Sequence, residues 1–228
     1  MKIALIGYGK MGHMIEAIAL ERGHEIVARI DVDTPFDLNG ADVAIEFTTP
    51  TTAKDNILRA WAQGVPVVSG STGWNVNELQ FTIHNSQFTI KGHKIVISDE
   101  TGKTMLVWSS NFSVGVNIFF ELNKNLAEKM CEHPQYTPSI KEIHHIHKLD
   151  KPSGTAKTLA EQISAIYKGT MYNVQDFPIE SIRERDVPGT HEVTWDSEED
   201  TIVITHIAKG RRGFALGAVL AAEELIKD

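Results

Sequence analysis

Apolar residues along the chain switch repeatedly between two periods. Lys2 to Ile6 is a short apolar run stopped by Gly7, which reads as a buried strand. Met14, Ile15, Ile18 and Ala19 then recur at helical spacing. The alternation continues with a strand over Glu25 to Ile30, a strand over Asp42 to Phe47, a helix through Thr52 to Trp61, and a strand over Val65 to Ser69. Strands that alternate with helices in this way predict an α/β fold built on a parallel sheet. From Phe81 to Val107 the pattern weakens. Phe88 to Ile90, Lys94 to Ile97 and Met105 to Val107 read as short strands in a hairpin-like insertion, separated by Gly92 and by Glu100-Thr101-Gly102.

A long amphipathic helix is predicted from about Ser113 to Met130, and Pro134 and Pro138 break the chain after it. Ile140 to His147 reads as a strand, which puts His144 and Lys148 toward one face and His145 and His147 toward the other. Pro152 ends that segment. Ser153, Gly154 and Thr155 open a helical pattern carried by Ala156, Leu159, Ala160, Ile163 and Ile166. Ser181 to Gly189 reads as a loop whose charges form a solvated surface. His191 to Trp195 and Thr201 to Ile207 alternate as an antiparallel hairpin, expected to join the histidine strand in a mixed sheet that carries subunit contacts. Gly213 to Lys227 closes the chain as an alanine-rich helix able to pack back on the first domain.

Composition narrows the possibilities. With 228 residues the chain has room for one large domain or two modest ones, and an apolar share of 42% predicts a real core. A formal charge of −8 argues against nucleic acid as a partner, since phosphate contact needs a basic face. The single cysteine, Cys131, cannot form an internal disulfide, which fits a reducing compartment; it reads as a packing residue in a helical pattern. No cleavage-type signal and no membrane-length apolar stretch are visible, so a soluble, cytoplasmic protein with no membrane partner is expected.

Two stretches carry candidate chemistry. The first is Gly7-Tyr8-Gly9-Lys10-Met11-Gly12, a G-x-G-x-x-G spacing placed after a strand and before a helix. Glycines there allow a tight turn and close backbone approach, and a helix N-terminus attracts pyrophosphate. Asp31, about 20 residues further on, would accept hydrogen bonds from a ribose. Phe47-Thr48-Thr49-Pro50 and Gly70-Ser71-Thr72-Gly73 lie at the carboxyl ends of predicted strands, where ligands sit on an open parallel sheet. The second stretch, Glu142 to Ile163, packs three histidines, Lys148 and the Ser153-Gly154-Thr155 helix start together. Free N–H groups and a positive dipole at that start suit an anion, and imidazoles with an ammonium stand just upstream. Metal is the competing reading for His145 and His147, but the closest acids are Glu142 and Asp150 and no complete ligand set is visible.

The motifs GYGKMG, FTTP, GSTG, SSNFSVGVN, EIHHIHKLDKPSGTA and GRRGFALGA together resemble the dihydrodipicolinate reductase family over nearly the whole chain. The histidine block is the specific part, whereas many dehydrogenases share the glycine fingerprint. The resemblance implies an NADH- or NADPH-dependent reductase of the diaminopimelate and lysine pathway, which passes a hydride to a cyclic unsaturated imine dicarboxylate. It implies a Rossmann-type parallel-sheet domain from residues 1–111 and 212–228. Residues 112–211 would be an inserted α+β domain with a mixed sheet that binds substrate and builds a homotetramer. By the same resemblance His144 looks like the proton-transfer residue and Lys148 like its cationic partner. His145, Ser153, Gly154 and Thr155 look like the cradle for the substrate carboxylates. The cofactor would lie along Gly7, Tyr8, Gly9, Lys10, Met11 and Gly12 with Asp31 at its ribose, and Gly70, Ser71, Thr72, Ser109, Ser110, Asn111 and Phe112 would border the nicotinamide. No metal is implied. Lys10 stands where the family usually has Arg, the segment between the second and third strands is short, and the stretch from His84 to Thr104 is long. Two rivals remain: another two-domain dehydrogenase acting on an amino or keto acid, and a non-catalytic nicotinamide sensor.

Overall fold

The computed structural model describes residues 1–81, 86–91, 94–167 and 177–227; Gly92, expected between two strands, lies outside them. The chain divides into two compact units, Met1–Ser113 with Arg212–Asp228, and Val114–Arg211.

The first unit is organised by a seven-stranded sheet. Its strands are β1 (Lys2–Ile6), β2 (Glu25–Ile30), β3 (Val43–Glu46), β4 (Val67–Ser69), β5 (Gln87–Lys91), β6 (Lys94–Ser98) and β7 (Thr104–Ser109), and its helices are α1 (Lys10–Glu21), α2 (Ala53–Ala62) and α5 (Arg212–Leu225). Their order in space is β2-β1-β3-β4-β7-β6-β5. The strands from β2 to β7 run parallel, and β6 and β5 add an antiparallel edge. The weakly patterned segment forms the expected short strands in antiparallel pairing, and they complete the sheet. Its signal is weak because an edge hairpin is covered only in part: Val96 and Ile97 are buried while Ile90 is 67% exposed.

Alternation along the central strands feeds two cores. Ile3, Leu5, Val43 and Ile45 face Ile15, Ile18 and Ala19 of α1 and Ala215, Ala218, Val219 and Ala222 of α5. Ala4, Ile6, Ala44 and Val67 face Ile57 and Ala60 of α2 and Leu79 of a short 3-10 helix, Val76–Phe81. Each fully buried aliphatic side chain contributes about 1.5 to 3 kcal/mol. Small residues let α5 come close. A Cβ on Gly217 would stand 1.6 Å from the Phe112 carbonyl oxygen, so no larger residue fits there without displacing that backbone.

The second unit is a four-stranded mixed sheet under two helices. Its elements are α3 (Val114–Met130), β8 (Thr137–His144), α4 (Gly154–Ile166), β9 (Ile179–Arg183), β10 (Thr190–Asp196) and β11 (Thr201–Ile207), with strand order β11-β10-β8-β9. β10 is antiparallel to β8 and β11, and β8 is parallel to β9. Ile140, Val193 and Trp195 pack with Phe119, Phe120, Leu159, Ala160 and Ile163 on one face. The register places Ile143, Thr194 and Val203 on the other face, where Val203 is 48% and Ile207 65% exposed. Among the described residues no helix is long and apolar enough to cross a membrane.

Three expectations are corrected. The histidine strand ends at His144, and His145 to Lys148 lie in a turn, so strand alternation does not place Lys148 or His147 on a face. Pairing with β9 stops at Arg183, and the chain turns because Lys148 N–H bonds the His145 carbonyl. The expected surface loop begins as strand: β9 takes in Ser181 and Arg183, and the Arg183 side chain is only 9% exposed. Cys131 lies just past α3 and is exposed, so it is not a packing residue.

Candidate active site

In the first unit the turn after β1 is shaped by glycine. Gly7 has φ +92°, and a Cβ on it would lie 2.1 Å from the Phe47 carbonyl oxygen. Gly12 is closed in the same way, its Cβ position 2.4 Å from the Gly7 carbonyl oxygen. Gly9, the N-cap of α1, is different. Nothing lies within 4 Å of its Cβ position, and no side chain caps the helix. The helix start therefore has open space beside Gly9 and N–H groups that no side chain caps, and the residues fit the diphosphate of a dinucleotide. Lys10 is exposed beside them, Met11 is half-buried in the α1 core, and Tyr8 donates to Glu16, which also pairs with Arg29. Asp31 follows β2 on the surface, where its Oδ1 accepts from Val32 N–H at 2.9 Å.

The turns after β3 and β4 meet at one buried carboxylate that sequence reading did not single out. Glu46 is 0% exposed and accepts from Ser69 Oγ at 2.5 Å, Ser71 Oγ at 2.7 Å, Thr48 N–H at 2.9 Å and the Thr48 hydroxyl. The Ser71 hydroxyl is thus committed inward, and Thr48 N–H also reaches its Oγ at 2.8 Å. Gly70 is forced by the Phe47 ring, 2.3 Å from where its Cβ would be, while Thr72 is exposed. Ser109 and Asn111 hold the turn after β7: Ser109 Oγ donates to the Asn111 carbonyl at 2.9 Å and Asn111 Oδ1 accepts from Ser113 N–H at 2.9 Å. Phe112 is buried and Ser110 exposed.

In the second unit a buried glutamate is again the junction. Glu142 points inward from β8 between Ile140 and His144 and is 0% exposed. Its Oε1 accepts from Ser153 N–H at 3.1 Å and from Arg183 Nη2 at 3.1 Å. Its Oε2 lies 2.8 Å from His144 Nδ1, an ion-pair distance out of line for a straight hydrogen bond, and 3.9 Å from His191 Nε2. Burial alone would raise the Glu142 pKa, but the contacts from His144, Ser153 and Arg183 outweigh it and hold the group well below the usual carboxylate range. His191 goes the other way. Burial, with the neighbouring His144 imidazole, pushes its own imidazole down to about 3, so it is neutral at physiological pH.

The Ser153 start of α4 is capped as its sequence predicts, with Ser153 Oγ accepting from Ala156 N–H at 3.2 Å and lying 3.0 Å from His191 Nε2. Gly154 is exposed, nothing lies within 4 Å of its Cβ position, and Thr155 is half-buried. Upstream, Lys148 Nζ pairs with Asp150 Oδ1 at 2.9 Å, and its own carbonyl accepts from Arg183 Nε at 3.1 Å. His145 is half-buried with its Nδ1 unpartnered in the interior.

The structure therefore brings His144 and Ser153 to one carboxylate and holds Lys148 beside them through Arg183, while His145 and His147 stand on the turn with ring centres 6.2 Å apart. Among the described residues, the set whose ligand atoms could hold a metal ion is Glu142, His144 and His191, within 4.8 Å of one another, and not the His145 and His147 pair. The Arg183 guanidinium already shares that carboxylate, which weakens the case for a second cation. Sequence reading missed His191, Arg183 and the junction role of Glu142. A usable signal existed, since Ile140-x-Glu142-x-His144 and Ile179-x-Ser181-x-Arg183 place charges at inward positions of alternating strands.

Two family models match the chain: dihydrodipicolinate reductase, N-terminus, over residues 1–112, and dihydrodipicolinate reductase, C-terminus, over residues 115–228. The 4-hydroxy-tetrahydrodipicolinate reductase of Christiangramia forsetii is 46% identical over 234 aligned residues, covering 99% of this chain and 92% of that protein. The protein of the same name from Staphylococcus aureus is 34% identical, covering 99% of this chain and 95% of its own length. A dipicolinate-bound dihydrodipicolinate reductase from Paenisporosarcina sp. TG-14 shares the fold, with a TM-score of 0.73 at 20% identity over 99% of this chain and 94% of that one.

Proposed function

The chain belongs to the dihydrodipicolinate reductase family, and from that premise we propose how its own residues divide the reaction. The reaction is the NADH- or NADPH-dependent reduction of a cyclic imine dicarboxylate to tetrahydrodipicolinate in diaminopimelate and lysine biosynthesis. When bound, the dinucleotide supplies the hydride. Residues 1–111 and 212–228 hold it, and residues 112–211 hold the dicarboxylate. The Gly7 to Gly12 turn and the bare start of α1 take the diphosphate, and Asp31 takes the adenosine ribose. Gly70, Ser71 and Thr72 and the Ser109 to Phe112 turn border the nicotinamide, with Ser71 acting through its backbone because its hydroxyl is committed to Glu46.

The substrate's carboxylates bind at the start of α4, where Ser153, Gly154 and Thr155 present N–H groups and the positive end of the helix dipole, with His145 beside them. Hydride addition leaves negative charge that one proton must discharge. Lys148 Nζ carries that proton to the substrate, and His144, whose Nδ1 is turned to Glu142, keeps Nε2 for proton transfer. One observation carries this reading: Glu142 touches both His144 and the Ser153 N–H, so the imidazole and the anion-binding helix start share one anchor.

Subunit assembly falls to the uncovered face of the second unit's sheet, and the half-exposed Val203 and exposed Ile207 support a homotetramer built there. The charge of −8 supports a protein without a nucleic-acid partner, and the lone Cys131 supports a reducing, cytoplasmic setting.

The test is NADH and NADPH oxidation in parallel with freshly generated substrate. Consumption of either supports the reading, and no oxidation of both in a protein that binds NADH makes it a sensor. In the same assay Lys148→Ala should lower turnover about 10²- to 10⁴-fold with the NADH dissociation constant unchanged; an equal loss of cofactor affinity would remove Lys148 from the proton step.

A further inference from the structure

A carboxylate with no exposure is a costly thing to build into a small unit, because a buried charge must be met by donors on nearly every side. Glu142 is met from several elements. Ser153 at the start of α4 gives its N–H, Arg183 of β9 gives Nη2, His144 of its own strand turns Nδ1 to it at 2.8 Å, and His191 of β10 stands at 3.9 Å. Arg183 then extends the frame. Its Nε donates to the Lys148 carbonyl at 3.1 Å, its Nη2 to the Asp150 carbonyl, and its Nη1 to the Ile182 carbonyl at 2.8 Å. The segment that carries Lys148 is thus tied to the same charge as His144 and the substrate helix.

Resting on the proton-transfer and carboxylate roles proposed above, we propose that Glu142 and Arg183 are positioning residues of the reduction: Glu142 fixes the His144 imidazole and the mouth of α4, and Arg183 fixes the turn that presents Lys148.

A purely structural reading also exists, in which Glu142 only neutralises a buried guanidinium. The two differ when both charges are removed. Removing one partner of a buried ion pair strands the other charge, whereas removing both leaves no charge stranded. A structural pair therefore recovers everything in the double variant, and a positioning pair recovers the fold without the turnover.

The experiment uses the full chain with NADH and freshly generated substrate, comparing wild type with Glu142→Gln, Glu142→Asp and the double variant Glu142→Gln, Arg183→Gln. Steady-state rates give kcat and KM, NADH fluorescence gives cofactor affinity, and calorimetry with dipicolinate reports the dicarboxylate site. Glu142→Gln should lower kcat about 10²-fold, the low end of what a placed proton donor contributes, and leave NADH affinity within about twofold. Glu142→Asp, which keeps the charge, should fall between Gln and wild type. The double variant should regain the melting temperature lost in Glu142→Gln while kcat stays low. Recovery of kcat to within about threefold of wild type in the double variant, or full turnover in Glu142→Gln, would overturn the proposal. If the double variant does not fold, the aspartate decides: wild-type kcat in Glu142→Asp sinks the positioning role. A wild-type chain that binds dipicolinate yet oxidises neither nucleotide would instead sink the reductase roles on which the proposal rests.

Discussion

Each unit is built around one glutamate with no exposure, and the two differ in what surrounds them. Glu46 is held by two serine hydroxyls, a threonine hydroxyl and a backbone N–H. Glu142 is held by a guanidinium and an imidazole as well as a backbone N–H. Hydroxyls and amides do not titrate near neutrality, so the first arrangement fixes the shape of two turns whatever the proton concentration. A guanidinium brings a fixed charge, so the second arrangement balances its carboxylate with an ion pair. On the division of the reaction proposed above, the unit that cradles the cofactor uses the former and the one that moves a proton uses the latter.

Replacing Glu46 with Gln tests the neutral arrangement and should have the largest effect on NADH binding of the changes considered next. The amide would aim N–H donors at hydroxyls that are already donating, which costs about 1 to 3 kcal/mol in a buried site. Because Ser69, Ser71 and Thr48 lose their common acceptor, the turns proposed to border the nicotinamide should loosen, and the NADH dissociation constant should rise about tenfold for each 1.4 kcal/mol that reaches the bound state. Dipicolinate affinity should not change. Fluorescence titration and calorimetry on one preparation check both, and a loss of dipicolinate binding equal to that of NADH would show that Glu46 serves overall stability alone.

The charged arrangement is sharpened by pH. The unfolded chain takes a proton on His191 near 6.5, whereas burial holds the folded group to about 3. Between those values the unfolded state binds the extra proton, so stability falls as pH falls, by up to about 1.4 kcal/mol per pH unit. His206, lowered by burial, acts in the same direction. Glu142 enters only at lower pH: its depressed pKa gives stability that is present above the ordinary carboxylate range and lost as pH drops toward the folded value. Urea unfolding of wild type and His191→Gln from pH 7 to pH 4 should show a shallower decline in the variant. Equal slopes would mean that His191 takes its proton in the folded state.

Much of the layout was readable before any coordinates because its signals are local. The glycine spacing sits between an apolar run and a helical stripe, Ser153 precedes its helix by one residue, and the β10 to β11 hairpin alternates around a polar turn. The two glutamate junctions were not readable in that way. Glu142 finds Arg183 41 residues away, and Glu46 finds Ser71 25 residues away, distances over which periodicity says nothing about partners. Arg183 was further hidden by the charged run that follows it, and strand pairing with β8 overrode the loop that composition suggested. Lys148 shows the same limit. Spacing put it in phase with His144, but the strand stops at His144 and a turn places it instead.

The smallest change compares the two helix starts. α4 begins at Ser153, whose Oγ caps Ala156 N–H, and α1 begins at Gly9, which has no side chain to cap with. Ser153→Ala should therefore cost about 1 kcal/mol and lower the melting temperature by about 2 to 4 °C. Gly9→Ala should lower it by less, because Gly9 has no side-chain cap to lose and nothing stands within 4 Å of the new methyl, although alanine is a poorer N-cap than glycine. The space that admits the methyl in the free protein is the space assigned to the diphosphate, so the same variant should also bind NADH more weakly. Calorimetric melts with and without NADH separate the two outcomes: a Gly9→Ala protein that melts like wild type in both conditions would show that the cofactor does not approach that turn.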